Sequence, residues 1–242
     1  MRLGIFNRRF FVVACIASLS VAFVACDKSS SSSNSNGSDG SGSGAGGEAS
    51  VIEAKNVLNS GTDIANVKAL IFESIPSLSM DWMAWVSNLK GYEVGTSEYK
   101  NNGFKITLSS SVPDTYLATY QTRLQNVWDL IGEESDVDVS VSEPNAKITS
   151  GVLLVAYNSA GKQIGIITQT AMADKKTYSV SRGYADRDCI IKIKFENTVT
   201  YDCSYKKGWN IIYNDISDGS TISQKPSSNM NIIWTFMDTT NF

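Results

Sequence analysis

The sequence contains no histidine among its 242 residues. That absence excludes Ser-His-Asp and Cys-His catalytic constellations, the HExxH zinc motif and the side chain that most often transfers protons near neutral pH. Beyond the first 25 residues, no stretch approaches the roughly 20 uncharged apolar residues that a membrane-spanning helix requires. No repeat of fixed period is visible either.

Clusters of basic residues are also scarce. Removing residues 1–25, which contain three arginines and no acidic residue, leaves 18 basic and 24 acidic residues, a net charge of about −6. The remaining pairs, Lys175-Lys176 and Lys206-Lys207, are typical of solvated turns. Because nucleic-acid binding depends on a basic stripe that neutralises phosphates, we expect no nucleic-acid partner.

The N-terminal segment has the layout of an export signal. Arginines at positions 2, 8 and 9 precede an apolar run over residues 10–25, which leads into Cys26. The run ends in Val24-Ala25-Cys26 and resembles a bacterial lipobox, although Phe23 stands where a branched apolar residue is usual. The resemblance implies that residues 1–25 form a signal peptide and that Cys26 carries an acyl lipid such as palmitate.

Three alternatives to lipidation of Cys26 remain open. Cys15 follows a closer local match to the lipobox, but too few apolar residues separate it from Arg9 to form an h-region of roughly 7–15 residues. Ordinary signal cleavage without a lipid is the second alternative. A retained anchor is the third, and about 16 apolar residues are short for a membrane span.

A Ser/Gly/Asn tract follows the cysteine. Together with the lipidated residue it forms a predicted tether, residues 26–50, which contains too little apolar surface to fold. As a flexible coil, residues 29–50 reach roughly 25 Å and hold a folded domain clear of the lipid headgroups. We expect a lipid-anchored protein of the bacterial cell envelope, with the outer membrane or cell surface favoured over the inner membrane. Asp27 leaves the inner membrane open, since some bacteria use this position for retention there.

Residues 51–242 alternate between apolar and polar side chains, with turn residues about every ten positions. This pattern predicts a mainly β domain, an antiparallel β-sandwich of Ig-like or jelly-roll-like type. Residues 152–157 are apolar on both faces and predict a central strand, which Ser159-Ala160-Gly161-Lys162 turns into residues 163–170. Asn102-Gly103 predicts a hairpin that pairs residues 104–108 with residues 92–99. In the last strand, Met230, Ile232, Trp234 and Phe236 share one apolar face.

One segment departs from this alternation. Apolar residues recur at helical spacing over residues 114–131, between Pro113 and Gly132, and predict an amphipathic helix. A division into two subdomains near residues 132–148 is also open.

Two cysteines lie in consecutive predicted strands, residues 188–195 and 198–205. A three-residue loop over residues 195–197 keeps both apolar faces on one side and places Cys189 directly opposite Cys203. Outside the cytoplasm, a disulfide between them is then expected, with two buried free thiols as the alternative. Closing a loop of about 15 residues would stabilise the fold by roughly 3 kcal/mol.

The residues that could carry chemistry are carboxylates and aromatics. Two pairs, Asp136 with Asp138 and Asp186 with Asp188, alternate onto one strand face as a glycosidase or a Ca²⁺ site would require, but same-face carboxylates are usually solvated and the calcium-loop spacing is missing. We therefore expect no catalytic residue, no metal and no cofactor. Aromatic rings can stack on sugars, and Trp82, Trp85 and Tyr92 are the candidate ligand-binding residues because their segment is the least regular.

Two further segments carry a family resemblance. Residues 184–188 (Tyr-Ala-Asp-Arg-Asp) lead through a hairpin into residues 205–210 (Tyr-Lys-Lys-Gly-Trp-Asn), and residues 99–104 read Tyr-Lys-Asn-Asn-Gly-Phe. These segments resemble elements of surface lipoproteins of anaerobic bacteria whose function is unknown. The resemblance implies an extracytoplasmic β-sandwich and transfers no functional residue.

The sequence as a whole favours a non-enzymatic lipoprotein that binds or scaffolds at the cell envelope. Its partners would be the membrane, through the lipid on Cys26, and a polysaccharide or an envelope protein. A structural or fimbrial-type assembly subunit is the alternative, and a carboxylate-dependent glycosidase is the third hypothesis.

Overall fold

The computed structural model describes residues 49–60, 63–73, 91–131, 137–195, 198–217 and 220–240. Within these ranges the chain forms fifteen β-strands and one α-helix. The strands are β1 Val51–Ala54, β2 Asn66–Ile71, β3 Tyr92–Glu98, β4 Phe104–Thr107, β5 Ala118–Thr119, β6 Val137–Val141, β7 Lys147–Ile148, β8 Leu153–Tyr157, β9 Gln163–Ala173, β10 Lys176–Ala185, β11 Cys189–Phe195, β12 Thr198–Tyr205, β13 Gly208–Asp215, β14 Thr221–Ile222 and β15 Asn231–Asp238; the helix is α1, Tyr120–Ile131.

Most strands belong to one large, mainly antiparallel sheet. Its strand order is β3-β2-β8-β9-β10-β13-β14-β12-β11-β6, with β15 paired to β9 and the short β7 and β5 attached beside β10. β1 and β4 form a second sheet of two strands. The predicted mainly β class is therefore confirmed. The finer prediction, an Ig-like or jelly-roll-like sandwich, does not follow from a branched sheet and a separate two-stranded sheet.

The large sheet forks at β9. On one edge of β9, the first half pairs with β8 and the second half pairs with β10. On the opposite edge, the whole length of β15 pairs with β9. The two branches and the β1–β4 sheet share one apolar core, which includes Ile52, Ile106, Val67, Ile167, Trp209 and Trp234. A second apolar cluster lies where α1 meets β11 and β12 and includes Tyr120, Ile191, Ile193, Tyr201 and Cys203.

The strand pair formed by β8 and β9 confirms a sequence prediction. They are antiparallel neighbours joined at residues 158–162, where Gly161 has φ of +73° and the side chain of Asn158 accepts hydrogen bonds from the backbone of Ala160 and Lys162. β8 lies between β2 and β9, as its apolar residues on both faces predict. On β15, Trp234 and Phe236 are buried as predicted, but Ile232 is exposed.

The hairpin predicted at residues 92–108 is only partly correct. Lys100 and Gly103 exchange two backbone hydrogen bonds of 2.9 and 3.0 Å, so the turn exists. Its central residues are Asn101 and Asn102, with φ of 52° and 57°. Beyond the turn the strands separate, because β3 pairs with β2 while β4 pairs with β1.

The helix is shorter than predicted. Asp114–Tyr116 form a 3-10 turn, and Ala118 and Thr119 are extended because they pair with β7. The α-helix begins at Tyr120, after Thr119 has accepted a hydrogen bond of 3.3 Å from the backbone N–H of Thr122. Strand pairing therefore overrides the helical spacing at Ala118 and Thr119, and a 3-10 turn replaces the α-helix at Asp114–Tyr116. Among the described residues, no helix is long and apolar enough to cross a membrane.

Candidate functional site

An open cleft of about 500 Å³ lies where the end of β1 meets the turn between β3 and β4. Most of the residues around it are charged or polar, although their apolar atoms and the buried ring of Phe104 also line the cleft. Three lysines, two glutamates and two asparagines line it: Glu53, Lys55, Asn56, Glu98, Lys100, Asn101 and Lys105. We call this region the Lys/Asn cleft.

The backbone around the cleft is fixed by close contacts. A Cβ atom on Gly103 would lie 2.3 Å from the carbonyl oxygen of Ala54, so only glycine permits this approach between the turn and β1. The backbone N–H of Val57 donates to the carbonyl of Asn102 at 3.1 Å. The two walls of the cleft are therefore held against each other by backbone atoms.

The asparagines at the cleft have different roles. The side-chain oxygen of Asn102 accepts hydrogen bonds from the hydroxyls of Tyr99, at 2.7 Å, and Ser60, so Asn102 supports the turn. Asn56 and Asn101 also have left-handed backbones, which asparagine tolerates better than most residues. Within the described chain, the side-chain amides of Asn56 and Asn101 form no hydrogen bond. Two exposed amides at the cleft are thus free to bind a ligand.

The charged residues at the cleft pair with one another. Lys55 and Lys105 contact the carboxylate of Glu53 at 2.9 and 3.4 Å, and Lys100 pairs with Glu98. Hydrogen bonds from Lys55 and Lys105 lower the pKa of Glu53, and the hydrogen bond from Lys100 lowers the pKa of Glu98. A glycosidase requires one carboxyl group with a raised pKa as its general acid. Both of these carboxylates shift in the opposite direction.

Of the three predicted ligand-binding aromatics, Tyr92 lies among the described residues, and it does not line the Lys/Asn cleft. Trp82 and Trp85 lie outside the described residues, as does Cys26. Tyr92 is the first residue of β3 and is half-buried against the core. Its ring lies 5.0 Å from the ring of Tyr116, at an angle of 32°. Tyr92 therefore has a packing partner on its ring, and no described contact links it to the cleft.

The register predicted for the two cysteines is wrong by two residues. Cys189 lies opposite Tyr205, and Cys203 lies opposite Ile191. The predicted loop of three residues is replaced by a two-residue connection and a β-bulge between Ile193 and Lys194, which restores the shared apolar face in a different register.

Both cysteines are buried free thiols in this register. Diagonal positions on neighbouring strands are roughly 7–8 Å apart, beyond the usual span of a disulfide, so the predicted bond is not formed. Burial raises the pKa of Cys189 to about 11 and raises the pKa of Cys203 further.

The carboxylates of these predicted pairs that lie among the described residues do not form a second site. Asp136 lies outside the described residues, and Asp138 is exposed on β6. Asp186 pairs with Arg187 at 3.1 Å, and Asp188 pairs with Lys206 at 2.9 Å. The described part of the chain contains no group of three or more acidic or cysteine side chains that could hold a metal ion.

Sequence reasoning identified the turn at residues 99–104 but missed the cleft beside it. The turn was recognisable from Asn-Gly, a local signal. The opposite wall, Glu53–Asn56, is about 45 residues away along the chain and approaches only because β1 pairs with β4. Comparisons with models of protein families, with curated proteins and with solved structures give no match.

Proposed function

We propose that this chain is a lipid-anchored, non-enzymatic lipoprotein of the cell envelope that binds a polysaccharide through the Lys/Asn cleft. The observation that carries the proposal is the pair of unbonded amides, Asn56 and Asn101, in an open cleft beside three lysines. A side-chain amide both donates hydrogen bonds to hydroxyl groups and accepts them, whereas a lysine donates and a carboxylate accepts. An open cleft also allows a polymer to pass through, whereas an enclosed pocket would admit only a chain end.

The charge of the cleft indicates the kind of polysaccharide. Three lysines face two glutamates, so the lining has a small positive excess. Polysaccharides that carry carboxylate or sulfate groups should therefore bind better than neutral ones, and their binding should weaken with added salt. Trp82 and Trp85 remain candidates for stacking against sugar rings.

A pull-down of the full chain on neutral and acidic polysaccharides tests the proposal. The double variant Asn56→Gly/Asn101→Gly removes both amides, while glycine keeps the left-handed backbone. The matched control is Asn59→Gly, which changes an asparagine of φ 60° that does not line the cleft. We expect the double variant to lose retention and the control to keep it.

The aromatic candidates are tested alongside. Retention lost in Trp82→Ala or Trp85→Ala, with Tyr92→Ala unchanged, would add a stacking platform to the cleft. Unchanged retention in the double asparagine variant would move the binding site elsewhere. No retention on any polymer would contradict glycan binding.

The second candidate function is structural assembly at the envelope, as in a fimbrial-type subunit. It is favoured by β6, the last strand of the large sheet. One edge of β6 pairs with β11, and the outer edge pairs with no described strand. Such an edge can accept a strand from another chain.

A further inference from the structure

The strand β6 has one paired edge and one open edge. It pairs antiparallel with β11 over all five of its residues. The next residue, Ser142, donates its backbone N–H to the carbonyl of Ile190 at 2.9 Å. Because successive residues of a strand point their backbone groups to opposite edges, Asp138 and Ser140 also face β11. The N–H and C=O groups of Val139 and Val141 therefore point outward, where no described strand meets them.

Within the described residues, β6 lacks three of the usual protections of an edge strand. Natural edge strands are commonly blunted by lysine, by proline or by a bulge. β6 contains none of these, and its only charge is Asp138. Val139 and Val141 are half-buried and pack against the apolar cluster of β11 and β12, so the apolar surface continues to the edge of the sheet. Asp138 and Ser140 lie on the exposed face.

The sequence of β6 is close to a palindrome, Val-Asp-Val-Ser-Val. We propose that a second copy of this chain occupies the open edge, with the two β6 strands antiparallel and centred on Val139. In that register every valine lies opposite a valine. Asp138 lies opposite Ser140 of the second copy, so no like charges meet.

The neighbouring registers are less favourable. Shifting the second strand by two residues in one direction places Asp138 opposite Asp138 of the second copy, and like charges directly opposite each other are destabilising. Moving it the other way loses one pair of valines. The register centred on Val139 alone keeps full overlap without charge repulsion.

The contact should be weak. A pair of five-residue strands buries less than the roughly 1,200 Å² of a stable interface, so association should depend on concentration. If the chain is lipid-anchored as proposed above, confinement of both copies to one membrane would raise their effective concentration. The pairing itself does not require the lipid or the Lys/Asn cleft.

Cysteine cross-linking tests the register. Asp138→Cys and Ser140→Cys are made separately in the full chain with tags of different size, and the two proteins are mixed and mildly oxidised. The pairing places residue 138 of one copy directly opposite residue 140 of the other, but places identical positions apart. We expect a cross-linked heterodimer in the mixture and little homodimer in either variant alone. The wild-type chain gives the background from its own cysteines.

Two further variants distinguish specific strand pairing from cross-linking by random collision. Val139→Pro removes an N–H that points outward and leaves the hydrogen bonds to β11 intact, as edge strands tolerate. Val139→Lys introduces a charge at the same edge. Both should abolish the heterodimer. Because both also remove the valine packing against the apolar cluster, the matched control is Val139→Ala, which loses the same packing but keeps the outward N–H and should retain the heterodimer. The proposal is overturned if the mixture shows no heterodimer above background, if all combinations cross-link equally, or if both variants still cross-link.

Discussion

Two arginines carry positive charge into the interior without a described carboxylate partner. Arg123 is 4% exposed and donates to the carbonyls of Ile148, at 2.6 and 3.0 Å, and Tyr116, at 3.2 Å, so it fastens the start of α1 to β7. Arg182 is 7% exposed and donates to Gln169 at 2.6 Å, while its Nε has no acceptor. Burial lowers the pKa of each to about 10, which leaves both charged at neutral pH.

The buried thiols lead to a labelling prediction. Because only a thiolate reacts rapidly, Cys189 and Cys203 should resist alkylation in the folded protein at about pH 8. In protein that is denatured without reduction, both should be labelled. Mass spectrometry of the peptides containing each cysteine measures this.

The control for labelling is Ser204→Cys, which places an exposed thiol between Cys203 and Tyr205 on the opposite face of β12. This thiol should react rapidly in the folded protein. Protection of both natural cysteines in the denatured, unreduced protein would restore the disulfide and contradict the register in the structure.

Asp215 gives a pH-dependent prediction. It is buried at the end of β13 and pairs with Lys176 at 2.6 Å. Burial alone would raise its pKa, but hydrogen bonds from Lys176 and Ser217 outweigh burial and leave the pKa lowered. A carboxylate with a lowered folded pKa stabilises the fold above its unfolded pKa, and this stability is lost as the pH falls through the folded value.

Asp215→Asn should therefore lower the free energy of unfolding at neutral pH by about 1.5–3 kcal/mol. It should also flatten the loss of stability in acid, as measured by urea unfolding between about pH 3 and pH 7. Asp174→Asn is the matched control, since Asp174 is exposed and its φ of 50° suits asparagine. An equal effect in both variants would show that the ion pair with Lys176 contributes nothing specific.

At the scale of elements, the period-two pattern predicted most strands because it depends on neighbouring residues alone. The errors occur where pairing between distant segments decides the structure. The bulge where β12 has one residue more than β11 changed the register of the cysteines, and pairing with β7 made Ala118 and Thr119 extended where a helix was predicted. The Asn101-Asn102 turn was recognisable from the local sequence. The separation of β3 from β4 was not, because it depends on pairing with β2 and β1, which are far from the turn along the chain.

The close approach of β15 to Gly165 of β9 leads to a prediction about stability. A Cβ atom on Gly165 would lie 2.2 Å from the carbonyl oxygen of Met237 and 2.6 Å from the ring of Phe236. Gly165→Ala should therefore destabilise the fold by about 1–3 kcal/mol, because the strands must move apart.

Gly183→Ala on β10 is the matched control, since its nearest contact would be an ordinary 3.6 Å. This variant should be neutral or stabilising by up to about 1 kcal/mol. Urea unfolding of both variants measures the difference, and equal effects would contradict the close packing between β9 and β15.

At the scale of the whole molecule, the candidate site depends on how the β1–β4 sheet joins the branched large sheet. One branch carries β8, β2 and β3, and the other carries β10 and β13. The β1–β4 sheet shares the apolar core with both branches, and the pairing of β1 with β4 brings Glu53–Asn56 to the turn at Asn101. Each wall was visible as a local pattern in the sequence, but the cleft depends on the pairing of β1 with β4, which are distant along the chain.

The N-terminal segment adds the last prediction, which concerns attachment to the membrane. If Cys26 carries the lipid, Cys26→Ser should abolish incorporation of labelled palmitate and move the protein from the detergent phase to the aqueous phase in detergent partitioning. Acyl chains contribute about 0.8 kcal/mol per buried CH₂, so their loss should release the chain from membranes.

Cys15→Ser is the matched control because Cys15 has its own lipobox-like sequence but too short an apolar run before it. It should keep the label and stay in the detergent phase. Loss of the label in Cys15→Ser alone would move the cleavage site eleven residues toward the N-terminus and lengthen the tether accordingly. Absence of label in the wild-type chain would favour ordinary signal cleavage if the chain enters the aqueous phase, or a retained anchor if it stays in the detergent phase.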